Sequence, residues 1–166
     1  MTDQAEIEVS DVAEAVELTP AEQRQAKVKS LVKKYAAVSA GLGLIPVPGI
    51  DIATVSSAQY AMIRDIAEIY GYESSKERIR VIVGSLLGGS LPVAIAAAGA
   101  GSLVKSIPFI GSIAGAILVP SLASASTFAL GRVFTQHFET GGTLLDIDAQ
   151  KMREHFEAEF KAAQIK

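Results

Sequence analysis

The fold is decided by residues 81–131, which read VIVGSLLGGSLPVAIAAAGAGSLVKSIPFIGSIAGAILVPSLASASTFALG. Lys105 is the only ionisable side chain in this stretch, which also holds eight glycines, eight serines and three prolines. A segment with so little charge gains little from contact with water. We therefore expect it to be buried in lipid, in a partner or within its own fold.

The composition excludes several classes of protein. Apolar residues make up 49% of the chain and charged residues only 20%, whereas about a quarter of the residues are charged in an average soluble domain. The net charge of −3 gives no field that would recruit nucleic acid, so we expect no nucleic-acid partner. The chain has no cysteine, which removes disulfides, thiolate catalysis and cysteine metal sites together.

The chain divides into three predicted parts. Residues 1–18 carry six acidic and no basic side chains and lack the features of a signal peptide, which predicts a flexible acidic tail. Residues 19–140 form a helical-hairpin domain, and residues 141–166 hold an amphipathic helix that Asp148 can cap. We therefore predict an all-α fold of two helical hairpins with Pro/Gly-rich corners plus a C-terminal amphipathic helix.

The first helix is predicted to begin at Thr19-Pro20, because Thr19 and Glu22 have the spacing of a capping box and proline suits the first helical position. Its first turns are basic, with no acidic side chain between residues 23 and 34. Each cation near an anionic membrane surface contributes about 1 kcal/mol. The predicted contacts with anionic lipid are Arg24, Lys27, Lys29, Lys33 and Lys34.

Each predicted hairpin turns at an Ile-Pro-x-x-Gly corner, at residues 45–49 and again at 107–111. Proline and glycine at this density do not continue a helix, so both corners are predicted to be tight reversals. The corner residues are Pro46, Pro48, Gly49, Asp51, Pro108 and Gly111. We favour Asp51 as an N-cap of the second helix. The alternative is a polar site at the hairpin tip, where Asp51 would pair with Lys105.

Two further patterns predict contacts between helices. Gly84 and Gly88, and again Gly111 and Gly115, place small residues one turn apart, which lets helix backbones approach closely in lipid or in a tight bundle. In the last helix one stripe is apolar, and we predict that it contacts a partner or a second copy of the chain. The stripe consists of Met152, Phe156 and Phe160.

No pattern of catalytic residues stands out. Residues 99–106 match a phosphate-binding loop except that Val104 replaces the second glycine, and no predicted strand precedes them. His137 and His155, the only histidines, lack the convergent partners of a metal site. We therefore expect no enzyme activity, no catalytic residue, no metal and no cofactor.

Two segments carry a resemblance to a known family. Residues 45–51 read IPVPGID, and residues 59–71 read QYAMIRDIAEIYG. The pattern resembles the YcjF-like domain family, a helical bacterial domain of unknown function, over about residues 28–138. Members of that family are often predicted membrane proteins, and some lie beside or are fused to Era-like GTPase domains. The resemblance implies a membrane-associated accessory role with a GTPase as partner, and it implies no activity.

Residues 81–131, which we call the near-chargeless segment, contain uncharged stretches of 24 residues (81–104) and 26 residues (106–131). A bilayer core needs about 20 helical residues. Arg78 and Arg80 before these stretches and Arg132 after them would lie on one side of a hairpin, as the positive-inside rule requires. We therefore predict a protein at the cytoplasmic face of the inner membrane, with membrane lipid as a partner.

The predicted function is a non-enzymatic, membrane-associated scaffold or adaptor, accessory to the GTPase that the resemblance implies. The alternative is a soluble, cytoplasmic helical bundle that self-assembles or holds an apolar ligand or lipid between its hairpins. We also expect a homo-oligomer, in which the apolar hairpins pack against copies of themselves.

Overall fold

The computed structural model describes the backbone of residues 18–44, 50–97 and 108–164, and within these the side chains of residues 18–44, 54–88 and 120–164. The described residues form five helices and no strand, which confirms the predicted all-α class. The helices are α1 (Pro20–Leu42), α2 (Ile50–Ile69), α3 (Lys76–Ala97), α4 (Pro108–Glu139) and α5 (Ala149–Gln164).

Two helix starts form as the sequence predicts. At α1 the Thr19 hydroxyl accepts from the Glu22 backbone N–H at 3.3 Å, and the Glu22 carboxylate accepts from the Thr19 backbone N–H at 2.8 Å. At α5 the Asp148 carboxylate accepts from two backbone N–H groups of the first turn, at 3.0 and 3.2 Å. Gly71 follows α2 with φ of +78°, a left-handed conformation that favours glycine. Each of these helix ends depends on residues that are close together in sequence, so short motifs are enough to predict them.

Helix α4 is the central element of the bundle. It packs against α1, α2 and α5, while α3 packs against α2 and α5. Helix α1 runs antiparallel to α4, with Ser39 beside Thr127 and Val32 beside Gly131. Among the described residues, α3 and α4 share no extensive contact, although the sequence pairs them as a hairpin. Among the residues that the structure describes, α1 and α5 also do not pack extensively on each other, so a strip of α4 stays uncovered between them.

One end of the bundle gathers charged and polar side chains from three helices. The Arg24 guanidinium lies 5.6 Å from the ring centroid of Tyr70, and the Tyr70 hydroxyl donates to the Glu139 carboxylate at 3.1 Å. We call this the charged end. The charged end contains the start of α1 and the ends of α2 and α4. The described parts of α1 and α4 become apolar toward the opposite end of the bundle, near Ala40 and Pro120.

The core is one cluster of apolar side chains to which all five helices contribute. Burying each large apolar side chain stabilises the fold by about 1.5–3 kcal/mol. The largest fully buried apolar side chains are Phe134, Phe138, Phe156, Met62, Ile63, Ile66, Ile79, Leu86, Leu130 and Val28.

The apolar stripe of α5 lies in this core. Met152, Phe156 and Phe160 are only 7%, 1% and 4% exposed, and the rings of Phe156 and Phe160 stack with centroids 5.7 Å apart. This corrects the expectation that the stripe contacts a partner. An amphipathic helix buries its apolar face on the nearest uncovered apolar surface, and for α5 that surface is α3 and α4 of its own chain.

The close approach of two helices occurs at Gly131, a residue that the sequence patterns did not single out. A Cβ atom at Gly131 would lie 2.6 Å from both Cγ atoms of Val32, well inside the optimal separation of carbon atoms. Gly84 and Gly88 were expected to allow such contacts, yet the space where a Cβ would stand is open within 4 Å at both. Within the described residues, α1 and α4 therefore make the glycine-dependent contact, and α3 does not.

The second predicted corner is already helical at its end. Pro108 and Gly111 lie in the first turn of α4, because the fixed φ of proline suits the first helical position. Asp51 lies directly after the first residue of α2. The following parts of the predictions lie outside the described residues or side chains: the tail at 1–17, Pro46, Pro48, Gly49, Lys105, and the contacts of Gly111 and Gly115.

A buried polar cluster joins α1, α2 and α4. The Gln59 amide nitrogen donates to the Ser126 and Thr127 hydroxyls, both at 3.2 Å, and the Thr127 hydroxyl donates to Ser39 Oγ at 2.8 Å. All four side chains are 4% exposed or less, and Gln59 Oε1 has no partner among the described atoms. Because buried polar groups are costly when unpaired, these bonds fix the register of the three helices.

Replacing Gly131→Ala should lower the free energy of unfolding by about 1–3 kcal/mol, because the new methyl group overlaps the branched Val32 side chain. Urea denaturation followed by circular dichroism measures the change. Gly84→Ala is the matched control, since it also replaces a helical glycine but enters open space, and it should stabilise by up to about 1 kcal/mol. Equal stability of the two variants would contradict a close α1–α4 contact.

Replacing Gln59→Ala should lower the free energy of unfolding by about 1–3 kcal/mol, because it leaves buried hydroxyls without their donor. Gln136→Ala, at an exposed position of α4, should stay within about 0.5 kcal/mol of the parent chain. The same urea titration compares them. If both variants unfold at one denaturant concentration, the polar cluster does not hold the three helices in register.

Candidate functional site

Helix α1 presents all five predicted cations to solvent. Its buried positions follow one stripe at helical spacing, formed by Val28, Val32, Ala36 and Ser39. With 3.6 residues per turn, the basic side chains occupy the remaining arc. The exposed cations are Arg24, Lys27, Lys29, Lys33 and Lys34.

The five cations do not form a single patch. Arg24 lies over the ring of Tyr70, beyond the end of α2. Lys29 and Lys33 border the opposite side of α1, next to α4 and α5. Lys27 and Lys34 point away from the bundle between these edges, because they lie roughly opposite the buried stripe at about 100° per residue.

Among the described residues, none of the four lysines of α1 has a carboxylate within 4.0 Å. In the described residues, ion pairs within 4.0 Å join Arg64 to Asp65, Arg132 to Glu159 and Lys151 to Asp148, and the His137 ring lies 3.6 Å from Asp146. Lys29 and Lys33 are one turn apart, a like-charge pair that costs about 0.2–0.5 kcal/mol. The basic face therefore adds repulsion within α1, and no ion pair of the described residues occupies its lysines.

A groove runs between α1 and α5, with α4 as its floor, and we call it the α1–α5 groove. One section, of about 540 Å³, lies toward the charged end. The other section, of about 830 Å³, lies toward the opposite end. Lys33 and Phe128 line both sections, so the groove is continuous. It exists because α1 and α5 both cover α4 without closing over it.

The section at the charged end is polar, and its acidic groups are engaged. Arg132 Nε on the floor lies 3.6 Å from the Glu159 carboxylate of α5. Glu139 accepts from the Tyr70 hydroxyl at 3.1 Å. Burial, reinforced by Glu139, raises the pKa of Tyr70 to about 12, so this hydroxyl stays a donor at neutral pH. The cations of this section, Lys29, Lys33 and Arg132, outnumber its two carboxylates, and in the described residues the two lysines at its rim have no ion pair.

The other section is mainly apolar. Its polar lining is limited to Lys33, Ser121, Ser124 and Gln164. Pro120 lies inside α4, where a proline removes one helical hydrogen bond. The groove thus changes from charged to apolar along its length, with Lys33 at the transition. The apolar lining consists of Ala36, Ala40, Pro120, Leu122, Ala125, Phe128 and Ala163.

His137 holds the loop that follows α4. Its Nε2 lies 2.8 Å from the Thr143 carbonyl oxygen and 3.6 Å from Asp146 Oδ1. Hydrogen bonds from the Thr143 backbone N–H and hydroxyl lower the pKa of Asp146. His155 is exposed on α5. In the described residues, no three side chains of metal-ligating type converge. The role of His137 in this structure is therefore to close a loop.

The groove was not predicted from the sequence, because its walls come from helices far apart along the chain. No local pattern brings together Lys33, Phe128 and Ala163. One usable signal was the abrupt return of charge at Arg132, one turn after Phe128, in a helix whose residues 108–131 carry no charge.

The sequence also offers two uncharged stretches long enough to span a bilayer. Within the residues that the structure describes, no helix meets both the length and the apolarity that crossing a membrane requires.

Comparisons with known proteins identify the family. A family model for a domain of unknown function, DUF697, matches residues 7–162. Magnetosome membrane protein 22 of Magnetospirillum gryphiswaldense is 34% identical over 138 residues, which cover 83% of this chain and 71% of that protein. No solved structure matches the chain. The chain therefore belongs to the family of the domain of unknown function DUF697.

Proposed function

We propose that the chain is a non-enzymatic peripheral membrane protein that binds anionic lipid headgroups through α1. The exposed lysines of α1 carry the proposal, because none of them has a carboxylate within ion-pair distance among the described residues. At about 1 kcal/mol per cation near an anionic surface, Lys27, Lys29, Lys33 and Lys34 together supply about 4 kcal/mol. This attraction weakens as salt screens the charges.

The comparisons support the same direction. The relative from Magnetospirillum gryphiswaldense is named a magnetosome membrane protein, and the family description assigns no reaction. We extend the membrane association, and no other property of that relative, to this chain.

In the same proposal the chain serves as a scaffold or adaptor at the cytoplasmic face of the inner membrane. The class of partner is the Era-like GTPase that the YcjF-like resemblance implies, and this link stays a prediction. The buried stripe of α5 offers no surface for such a partner. Contact with a partner would fall to exposed side chains of the charged end, such as Arg78 and Glu73.

Self-association is a second candidate, and an exposed face of α3 favours it. Val81 is 72% exposed, and Gly84 and Gly88 border open space within the described residues. The same face lines a groove of about 710 Å³ between α2 and α3. A second copy of the chain would bury this apolar surface.

Reversing the charge of Lys27, Lys29, Lys33 and Lys34 to glutamate should weaken binding to phosphatidylglycerol vesicles by about a thousandfold, since the four lost lysines together remove about 4 kcal/mol. Vesicle co-sedimentation at low and high salt measures the change. Binding by the parent chain should also fall with added salt.

Lys151→Glu with Lys161→Glu is the control for a general loss of positive charge, because both lysines are exposed on α5 rather than on α1. This pair lowers the net charge in the same direction without touching α1, and it should bind vesicles close to the parent level. Unchanged vesicle binding after reversal of the four α1 lysines would remove the proposed attachment.

A further inference from the structure

We propose that the α1–α5 groove takes up one acyl chain of an anionic membrane phospholipid, whose headgroup then lies against Lys29 and Lys33. The inference rests on the proposed membrane attachment and deepens it, because it names the lipid class and the seat of its chain. Three features of the groove carry it: the order of its linings, its length and its charge.

Along the groove the lining changes from charged to apolar, in the same order as a phospholipid changes from headgroup to acyl chain. Toward the charged end the groove is bordered by Lys29, Lys33 and Arg132. Toward the other end it is bordered by alanines, Leu122 and Phe128, with a few hydroxyls at the edge. A small-molecule site of this kind combines an apolar cleft with a few polar groups that fix orientation. The α1–α5 groove has that composition along one axis.

The dimensions fit a single chain. The apolar section extends along α4 from Pro120 to Phe128, which corresponds to about 12 Å at 1.5 Å per residue. A bilayer core is about 30 Å thick, so one acyl chain covers about 15 Å. The section therefore matches most of one chain in length, and its volume of about 830 Å³ lies in the range of known ligand sites.

The charge favours an anionic headgroup over a neutral or cationic one. The polar section holds three cations, Lys29, Lys33 and Arg132, against the two carboxylates Glu139 and Glu159, so its lining carries a net positive charge. Lys29 and Lys33 have no ion pair among the described residues. A phosphate at the transition between the two sections would meet both amines, and its chain would run from Phe128 toward Pro120.

A tryptophan reporter tests the proposal, because the chain contains no tryptophan of its own. Ala163→Trp places the indole in the apolar section, and Ala162→Trp, one residue earlier, places it in solvent on the same helix. With phosphatidylglycerol vesicles whose acyl chains carry bromine, the Ala163→Trp emission should lose most of its intensity and shift to the blue. The Ala162→Trp emission should lose little.

A second pair of tryptophan variants, on α1, repeats the test in case a variant of the α5 pair does not fold. Ala40→Trp faces the same apolar section from the opposite wall, and Val38→Trp, 45% exposed in the parent chain, faces away from it. Preferential quenching at Ala40→Trp should repeat the first result. Equal quenching within both pairs, in variants that still sediment with the vesicles, would overturn the acyl-chain site and leave the proposed attachment intact.

The same quenching and sedimentation measurements test whether the ligand is a phospholipid or a free fatty acid, and whether the chain attaches to the membrane through α1. Brominated oleate below its micelle concentration, without vesicles, should quench Ala163→Trp less than the phospholipid does, and stronger quenching by free oleate would overturn the assignment to a membrane phospholipid. Lys27→Glu with Lys34→Glu should reduce sedimentation while the remaining bound fraction keeps the quenching contrast. Failure of the parent chain to sediment at all would instead refute the proposed attachment.

Discussion

The contact between α1 and α4 at Gly131 is the constraint on which the rest of the bundle depends. Without a side chain at Gly131, the branched Val32 side chain sits directly on the α4 backbone. This approach brings Ser39 within 2.8 Å of Thr127, where the buried polar cluster begins. It also sets α1 along one edge of α4, so that the lysines of α1 border the strip that α5 leaves uncovered.

The bundle is polarised along its axis. Capped helix starts, a tyrosine–glutamate bond and the paired Arg132 gather toward one end. Toward the other end the described side chains of α1 and α4 are alanine, leucine and proline, with small hydroxyls. An amphipathic helix separates polar from apolar across its width, whereas this domain also separates them along its length. A membrane surface presents the same sequence of environments, from charged headgroups to hydrocarbon.

The parts of the structure that could be predicted from the sequence are those that local chemistry fixes. The capping box at Thr19 and Glu22, the Asp148 cap and the all-α class depend on residues within one turn of each other. The exposure of the α1 lysines follows from a run without acids. The destination of the Phe156 stripe could not be predicted, because periodicity identifies an apolar face and not the surface that covers it.

The groove and the glycine contact escaped prediction for a related reason. Gly131 resembles the seven other glycines of the near-chargeless segment, and only the position of Val32 on another helix distinguishes it. The division of the basic residues between Tyr70, the groove rim and open solvent likewise depends on which helices flank α1. The resemblance to YcjF-like proteins, and the GTPase partner that it implies, stay a prediction, because the family match does not address them.

The Ser39–Thr127–Gln59 cluster has a consequence for the surroundings that this domain can tolerate. Its hydrogen bonds join side chains of three helices inside the protein, and one acceptor, Gln59 Oε1, has no partner among the described atoms. Hydroxyl and amide bonds of this kind also join helices within lipid, where small polar side chains act between closely packed backbones. The hydrogen bonds of the junction would therefore stay the same if the surroundings of the domain changed from water to an apolar medium.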